Sequence, residues 1–220
     1  GRTGKTYSEY PIHAAALQFI RENKERPFLC YMPITPPHGM YDIPADDPAW
    51  ELYKNEAWMR DPTISQDTKN YAAMVSMVDR EVGNVLDLLH ELGLEDNTIV
   101  FFTGDNGGQD RFKSKEHPRG FFGPNVNPEN GVEFRGGKGN LYEGGLKIPF
   151  LVRWPGVVAA NTVRDLVFYQ PDIMATIADL TNTKAPEDTD GISIAPTFLG
   201  ADGSQKLHEM MYWEYGNQTA

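Results

Sequence analysis

An acid and an amide stand side by side in the stretch Thr-Gly-Asp-Asn-Gly-Gly, residues 103–108. They follow the apolar run of residues 98–102, which predicts a short buried strand. The oxygens of Asp105 and Asn106 are hard ligands of the kind that Ca²⁺ or Mg²⁺ prefers. The same four residues, Asp-Asn-Gly-Gly, also favour a tight turn. From these residues alone, both a turn and a metal site stay open.

A second candidate is Lys138, which lies between glycines in the stretch of residues 135–149. Six of these fifteen residues are glycine or proline, so the backbone can approach a ligand closely. A lysine ammonium without bulky neighbours could hold an oxyanion there. A flexible surface loop with a solvated lysine is the alternative interpretation.

A third candidate is His38, in the stretch Thr-Pro-Pro-His-Gly-Met, after the apolar run of residues 28–32. In an open α/β sheet, ligands bind beyond the carboxyl ends of the strands. We therefore expect His38 and the pair Asp105–Asn106 to lie at the same edge and, with Lys138, to face one cavity. A lone histidine in a loop can also have no catalytic role.

The elements that would position these residues alternate along the chain. Apolar periodicity and turn residues predict helices at 12–25, 66–92 and 170–180, and strands at 28–32, 98–103, 148–153 and 208–215. Such alternation favours an α/β fold with a mostly parallel sheet covered by helices on both faces. In the helix at 66–92, a stripe with helical spacing predicts the buried face, with Thr63 and Gln66 as a capping box and Gly93 at the C-terminal end. The stripe consists of Tyr71, Val75, Val78, Val82, Val85, Leu89 and Leu92.

Composition excludes some classes of function. The 220 residues carry 20 basic and 31 acidic side chains, and 20 − 31 gives a net charge of −11, which argues against a general nucleic-acid binder. Residues 110–119 are locally basic, and they either guide an anionic substrate or are solvated surface. No apolar run approaches the ~20 residues of a membrane span. Cys30 is the only cysteine, so no internal disulfide can form.

Four motifs, in this order, resemble type I sulfatases of the alkaline-phosphatase-like superfamily. They are RPFLCYMPITPPHGM, YAAMVSMVDREVGNVLDLLHELGLEDNTIVFFTGDNGG, GGKGNLYEGGLKIPFLVRWPG and DGISIAPTFLG. The resemblance runs from about residue 8 to residue 215. It implies the alkaline-phosphatase-like α/β fold, with a mixed, mostly parallel sheet that is incomplete at its N-terminal side. Residues 1–205 would be the C-terminal portion of the catalytic domain, and residues 206–220 the start of a small C-terminal subdomain.

The resemblance also implies roles for the candidate residues. Asp105 and Asn106 would be ligands of Ca²⁺, with Mg²⁺ as an alternative. Lys138 would contact the sulfate and the metal-bound oxygens. His38 would contact the sulfate ester and assist protonation of the leaving group. The substrate would be a sulfated small molecule or glycan, and the parent enzyme would be periplasmic, secreted or lysosomal.

The chain departs from the family at the nucleophile. That residue is a formylglycine made from the Cys or Ser of a Cys/Ser-x-Pro-x-Arg motif, which these 220 residues do not contain. The motif is expected upstream, and the isolated chain is expected to be inactive. The pair Asp46–Asp47 follows no apolar strand, so we interpret it as a loop or helix cap rather than as the first metal pair. A phosphodiesterase or phosphonate hydrolase of the same superfamily, and a non-catalytic relic or interaction module, stay open as alternatives.

Overall fold

A computed structural model of the chain describes residues 6–220, which divide into two compact units. The first unit comprises residues 6–95 and 110–123, and the second comprises residues 96–109 and 124–220. The helices of the first unit are α1 (Glu9–Asn23), α2 (Trp50–Tyr53), α3 (Ala57–Arg60) and α4 (Gln66–Glu91). The second unit has strands β1 (Val100–Thr103), β2 (Phe150–Arg153), β3 (Glu214–Tyr215) and β4 (Gln218–Thr219), and helices α5 (Glu143–Leu146), α6 (Pro171–Leu180) and α7 (Ala195–Phe198). Short 3₁₀ helices cover Glu95–Asn97 and Asp202–Ser204. The subdomain boundary between residues 205 and 206 stays a prediction.

Helix α4 has the two ends that its sequence encodes, although one cap differs from the prediction. The side-chain oxygen of Ser65 accepts a hydrogen bond from the backbone N–H of Thr68, so Ser65, and not Thr63, caps the helix. At the other end Gly93 has a φ of 67°, the left-handed conformation that glycine adopts without strain. The prediction that Gly93 lies at the C-terminal end of this helix is therefore confirmed.

The buried face of α4 differs from the valine stripe that the sequence predicts. Ala73 and Met77 are fully buried against Ile43 and Ala49, whereas Val75 is 43% exposed. The predicted stripe is nevertheless right in part, because its member Leu89 is 2% exposed and Val78, Val82 and Val85 are half-buried. Close packing with residues distant in sequence decides which part of the apolar surface is fully covered.

Polar side chains are buried beside this apolar core. Arg80 donates two hydrogen bonds to Asp47, at 2.7 and 2.9 Å, and the Tyr10 hydroxyl donates a third at 2.6 Å. Burial acts to raise the pKa of Asp47, but these bonds and one from the backbone N–H of Ala49 outweigh it and lower the pKa. Asp47 thus forms an ion pair and lies in the loop before α2, in agreement with the loop interpretation; the N-cap position of α2 is Ala49.

Glu81 lies on the same face of α4, and we expect it to make the stability of the protein pH-dependent. It is 2% exposed, and its Oε2 atom has no hydrogen-bond partner among the described residues. Burial raises the pKa of Glu81 from 4.5 to about 7; the charges of Glu9 and Asp47 add to the rise and that of Arg80 opposes it. The folded protein therefore binds this proton more tightly than the unfolded chain does. The resulting stabilisation is fully present below the unfolded pKa and is lost as the pH rises through the folded value.

The measurement is urea unfolding at a series of pH values. Between about pH 4.5 and pH 7.5 the wild type should lose roughly 3 kcal/mol of unfolding free energy relative to Glu81→Gln, an order-of-magnitude value. Asp79→Asn, which alters an exposed acid on the same helix, is the matched control and should keep the wild-type pH dependence. Parallel pH profiles for the wild type and Glu81→Gln would contradict the prediction.

The second unit is built on the predicted strands at 98–103 and 148–153, which appear as β1 and β2. They pair antiparallel, with Val100 opposite Arg153 and Thr103 opposite Phe150. The two strand pairs among residues 6–220 are both antiparallel, so the predicted parallel pairing is not present there. An apolar run predicts an extended segment but does not specify its partner. Residues 28–32 accordingly form no strand, and the predicted strand at 208–215 is reduced to β3, which pairs with β4.

Helix α6 matches its prediction and contains a buried acid in its first turn. Pro171 occupies its first turn, where a missing N–H costs nothing. Asp172 is fully buried and accepts hydrogen bonds from the backbone N–H groups of Tyr169 and Ile192 and from Nε2 of His208. These bonds join α6 to the two segments that follow it. None of the helices in the described part of the chain combines the length and apolarity that a bilayer span needs.

Candidate functional site

Strand β1 delivers Asp105 and Asn106 to the surface of the second unit. The strand ends at Thr103, and the carbonyl of Gly104 accepts a 2.9 Å hydrogen bond from Nε2 of Gln170. The Asp105 side chain is exposed beyond this fixed point. Asn106 donates from Nδ2 to the carbonyl of Gly107 at 3.1 Å, which leaves its Oδ1 atom available to a ligand.

Backbone contacts between glycine-rich segments bring the Lys138 loop to this strand end. The N–H of Gly107 donates to the carbonyl of Gly145 at 2.9 Å, and the N–H of Lys138 donates to the carbonyl of Gly108 at 2.8 Å. A Cβ atom on Gly107 would lie 2.0 Å from the carbonyl oxygen of Gly144, so only glycine fits. The loop therefore folds back across the end of β1, as convergence of Asp105 with Lys138 requires.

Gln218, in β4, holds the same loop from its other side. Its Nε2 donates to the carbonyl of Gly139 at 3.0 Å, and its Oε1 accepts from the N–H of Leu141 at 3.2 Å. Sequence reasoning missed both Gln218 and Gln170, because each acts on backbone atoms more than 60 residues away and neither belongs to a local motif. Both glutamines position the loops that carry the candidate residues.

Side chains next to Lys138 add to the rigidity of the loop. The guanidinium carbon of Arg135 lies 3.8 Å from the centre of the Tyr142 ring, a cation–π contact. The carbonyl of Arg135 also accepts a hydrogen bond from the N–H of Gly144. Glu143 is the first residue of α5. Lys138 therefore lies in a turn whose backbone is held by hydrogen bonds and by the contact between Arg135 and Tyr142.

His38 lies in the first unit, whereas Asp105, Asn106 and Lys138 lie in the second. Its side chain is exposed, and its Nδ1 lies 3.2 Å from the carbonyl oxygen of Gly39. Because a carbonyl only accepts, Nδ1 carries the hydrogen in this bond and Nε2 is left to exchange a proton. That His38 faces the same cavity as the other three residues stays a prediction.

The donor atoms at Asp105 and Asn106 fit a hard cation in part. A carboxylate and an amide oxygen suit Ca²⁺, but its shell takes roughly 6–8 oxygens, so two residues supply a minority of it. Among residues 6–220, no group of three or more His, Cys, Asp or Glu side chains is arranged to hold a metal ion. If Asp105 and Asn106 bind Ca²⁺, groups other than these two residues must supply most of its oxygen ligands.

Comparison with known proteins identifies the family. The model of the sulfatase family matches residues 3–183, most of the chain. The chain belongs to the sulfatase family. This sulfatase chain is 33% identical over 201 residues to steryl-sulfatase of Mus musculus, covering 90% of the chain and 28% of the relative. It is 34% identical over 191 residues to N-acetylgalactosamine-6-O-sulfatase of Bacteroides thetaiotaomicron, covering 85% and 33%. The family is one of sulfuric ester hydrolases.

Solved structures confirm the alkaline-phosphatase-like α/β fold. The crystal structure of Ps i-CgsB in complex with k-i-k-neocarrahexaose superposes with a TM-score of 0.69 at 28% identity, covering 90% of this chain and 40% of that one. The sulfatase chain thus spans 28–33% of the length of the two curated relatives and 40% of this solved structure.

Proposed function

We propose that the full-length protein hydrolyses a sulfate ester of a carbohydrate or aryl compound, with a formylglycine nucleophile and Ca²⁺. The observation that carries the proposal is the backbone junction that ties the Lys138 loop to the end of β1. The backbone hydrogen bonds of Gly107 with Gly145 and of Lys138 with Gly108 support it, because they hold the segment that carries Lys138 beside the segment that carries Asp105 and Asn106. Membership of the sulfatase family supports sulfate as the group that these residues hold. A periplasmic, secreted or lysosomal location is part of the proposal.

The side chains divide the work by their chemistry. Asp105 and Asn106 would hold Ca²⁺ through their side-chain oxygens, and the ion would supply positive charge that stabilises the sulfate oxygens. Lys138 holds an anionic oxygen of the sulfate through its ammonium group. His38, with both ring nitrogens protonated, gives the proton on Nε2 to the departing alcohol oxygen and keeps the one on Nδ1. Each of these groups acts on charge that develops during the transfer.

The test is the release of inorganic sulfate by the full-length protein from sulfated saccharides and aryl sulfates, measured by ion chromatography. Phosphate esters of the same alcohols are the matched controls. We expect turnover of at least one sulfate ester and kcat/KM at least a hundredfold lower for the matching phosphate. A preference for phosphate esters would assign the protein to phosphodiester or phosphonate hydrolysis, and no turnover of either would favour a non-catalytic role.

The 220-residue chain alone is expected to release no sulfate from 4-nitrophenyl sulfate. It contains no Cys/Ser-x-Pro-x-Arg motif from which formylglycine could form, and ordinary hydroxyls are poor nucleophiles. Circular dichroism of the purified chain, with the helical signal of α1, α4 and α6, is the control for folding. Turnover above that of a buffer blank by this folded chain would contradict the assignment of the nucleophile.

A further inference from the structure

Four aromatic rings of the first unit pack into one cluster. We define this ring cluster as Tyr41, Tyr71, Phe112 and Phe122. The centre of the Phe112 ring lies 5.1 Å from that of Tyr41 and 5.4 Å from that of Tyr71, and Tyr71 lies 5.2 Å from Phe122. Most of these contacts are edge-to-face or tilted, the arrangements that aromatic pairs prefer.

The loop that supplies two of these rings, residues 110–123, has an uncommon backbone conformation. Phe112 has a φ of 59°, which is an outlier for a bulky side chain. Such strain persists only where the surroundings fix it, and it concentrates at functional sites. Here Arg119 donates to Asp110 at 2.8 Å, and a Cβ atom on Gly120 would lie 2.1 Å from the carbonyl oxygen of Arg111. The loop is therefore closed tightly around the strained residue.

The ring cluster is continuous with the loop that carries His38. Tyr41 follows His38 by three residues, and a Cβ atom on Gly39 would lie 3.3 Å from the Tyr41 ring. On the solvent side, Phe122 is 47% exposed and Met40 is 59% exposed. One face of the cluster is thus open to a ligand within the first unit.

The loop that supplies Phe112 and Phe122 is locally basic. Residues 110–119 carry four basic and two acidic side chains. Among residues 6–220, Arg111 and Lys115 form no ion pair, whereas Asp110 is held by Arg119 and Lys113. Arg111 is exposed and directly precedes Phe112 of the cluster; burial raises the pKa of Tyr71, and the charge of Arg111 acts against that rise. The loop therefore combines aromatic rings with exposed cations in a chain of net charge −11.

We propose that the ring cluster and Arg111 form a subsite for a sugar ring of a sulfated oligosaccharide. The apolar C–H face of a pyranose packs on Phe122, and Arg111 pairs with a sulfate or carboxylate of the sugar. A sterol would need an enclosing apolar pocket, which one exposed ring flanked by cations does not provide. This subsite rests on the proposed function and extends it from the cleaved ester to the rest of the substrate.

The experiment measures two properties of full-length wild type, Phe122→Ala and Arg111→Gln. The first is binding of hexasaccharides from carrageenan, chondroitin 6-sulfate and heparin by isothermal titration calorimetry, and the second is turnover of 4-nitrophenyl sulfate. We expect the wild type to bind at least one hexasaccharide and each variant to bind it about tenfold more weakly. Turnover of the small aryl sulfate, which does not reach the subsite, should stay within twofold of wild type.

Phe19→Ala is the matched control, because it removes a phenylalanine of similar exposure, 38%, from α1 of the same unit. It should leave hexasaccharide binding unchanged. Binding of no hexasaccharide by the wild type, or unchanged hexasaccharide affinity in Phe122→Ala, would overturn the subsite. A different result would separate the two proposals. If neither the wild type nor any variant turns over a sulfate ester, but Phe122→Ala still weakens hexasaccharide binding, the proposed function fails and the subsite stands.

Discussion

Replacing Asp105 by alanine in the full-length protein is expected to abolish both calcium binding and sulfate release while the fold stays intact. The Asp105 side chain is exposed and makes no hydrogen bond or ion pair with another described residue, so its removal leaves no buried partner unsatisfied. Its carboxylate is the only negative charge in the stretch of residues 103–108. Loss of a metal ligand therefore removes charge stabilisation without a comparable cost in packing.

We expect kcat/KM to fall by about 10³-fold or more, and the melting temperature measured without added calcium to change little. Atomic absorption of the dialysed variant checks the calcium content. Asp188→Ala, which removes an exposed acid from a loop of the same unit, is the control and should keep both metal and activity. If Asp105 only forms a turn, Asp105→Ala should keep its calcium and lose about 1 kcal/mol of stability. An unaltered calcium content in Asp105→Ala would therefore show that residues 103–108 form only a turn.

The local elements of this protein could be predicted from the sequence because local chemistry decides them. Pro171 opens α6 and Gly93 ends the turn after α4 through backbone preferences of single residues. The strands at 98–103 and 148–153 were recognisable as short apolar runs. Their antiparallel pairing was not, because hydrogen-bond partners depend on how distant segments meet.

Part of the candidate site could likewise be predicted from the sequence, and part could not. The residue types of Asp105, Asn106 and Lys138 indicate oxyanion and metal chemistry, and the glycines around them indicate close backbone approach. What the sequence could not give is the set of contacts that fixes the loops. Gln218 reaches backbone atoms of Gly139 across 79 positions, and no spacing rule predicts such a contact. The predicted buried face of α4 was right only in part, with Leu89 buried and Val75 exposed, because contacts with residues distant in sequence, such as Ile43, decide what is covered.

Replacing Gly145 by alanine is expected to damage stability and activity together. Gly145 is buried in α5, and a Cβ atom there would lie 1.9 Å from the carbonyl oxygen of Asn140 and 2.7 Å from that of Gly137. Both obstacles are backbone atoms, so no side-chain rotation can relieve the clash. Forced overpacking costs about 1–3 kcal/mol or more, and the upper part of that range applies to contacts this short.

The effect on activity follows from the hydrogen bonds that the same residues make. The carbonyl of Gly145 accepts from the N–H of Gly107, and the turn of Gly137 and Asn140 contains Lys138. Moving α5 away from that turn therefore displaces Lys138 from the end of β1. A misplacement of ~1 Å can cost about 10²-fold in rate, and we expect a loss of kcat/KM of that order in the full-length protein.

Differential scanning calorimetry and the sulfate-release assay check both parts of this expectation. Gly203→Ala is the control in the same unit, because nothing lies within 4 Å of its Cβ position, and it should behave as wild type. The melting temperature of Gly145→Ala should fall by at least about 5 °C. Wild-type melting and activity in Gly145→Ala would show that the close backbone junction does not position Lys138. Asp105→Ala, by contrast, should lose metal and activity with its melting temperature retained, so the two variants separate the chemistry of the site from the packing that holds it.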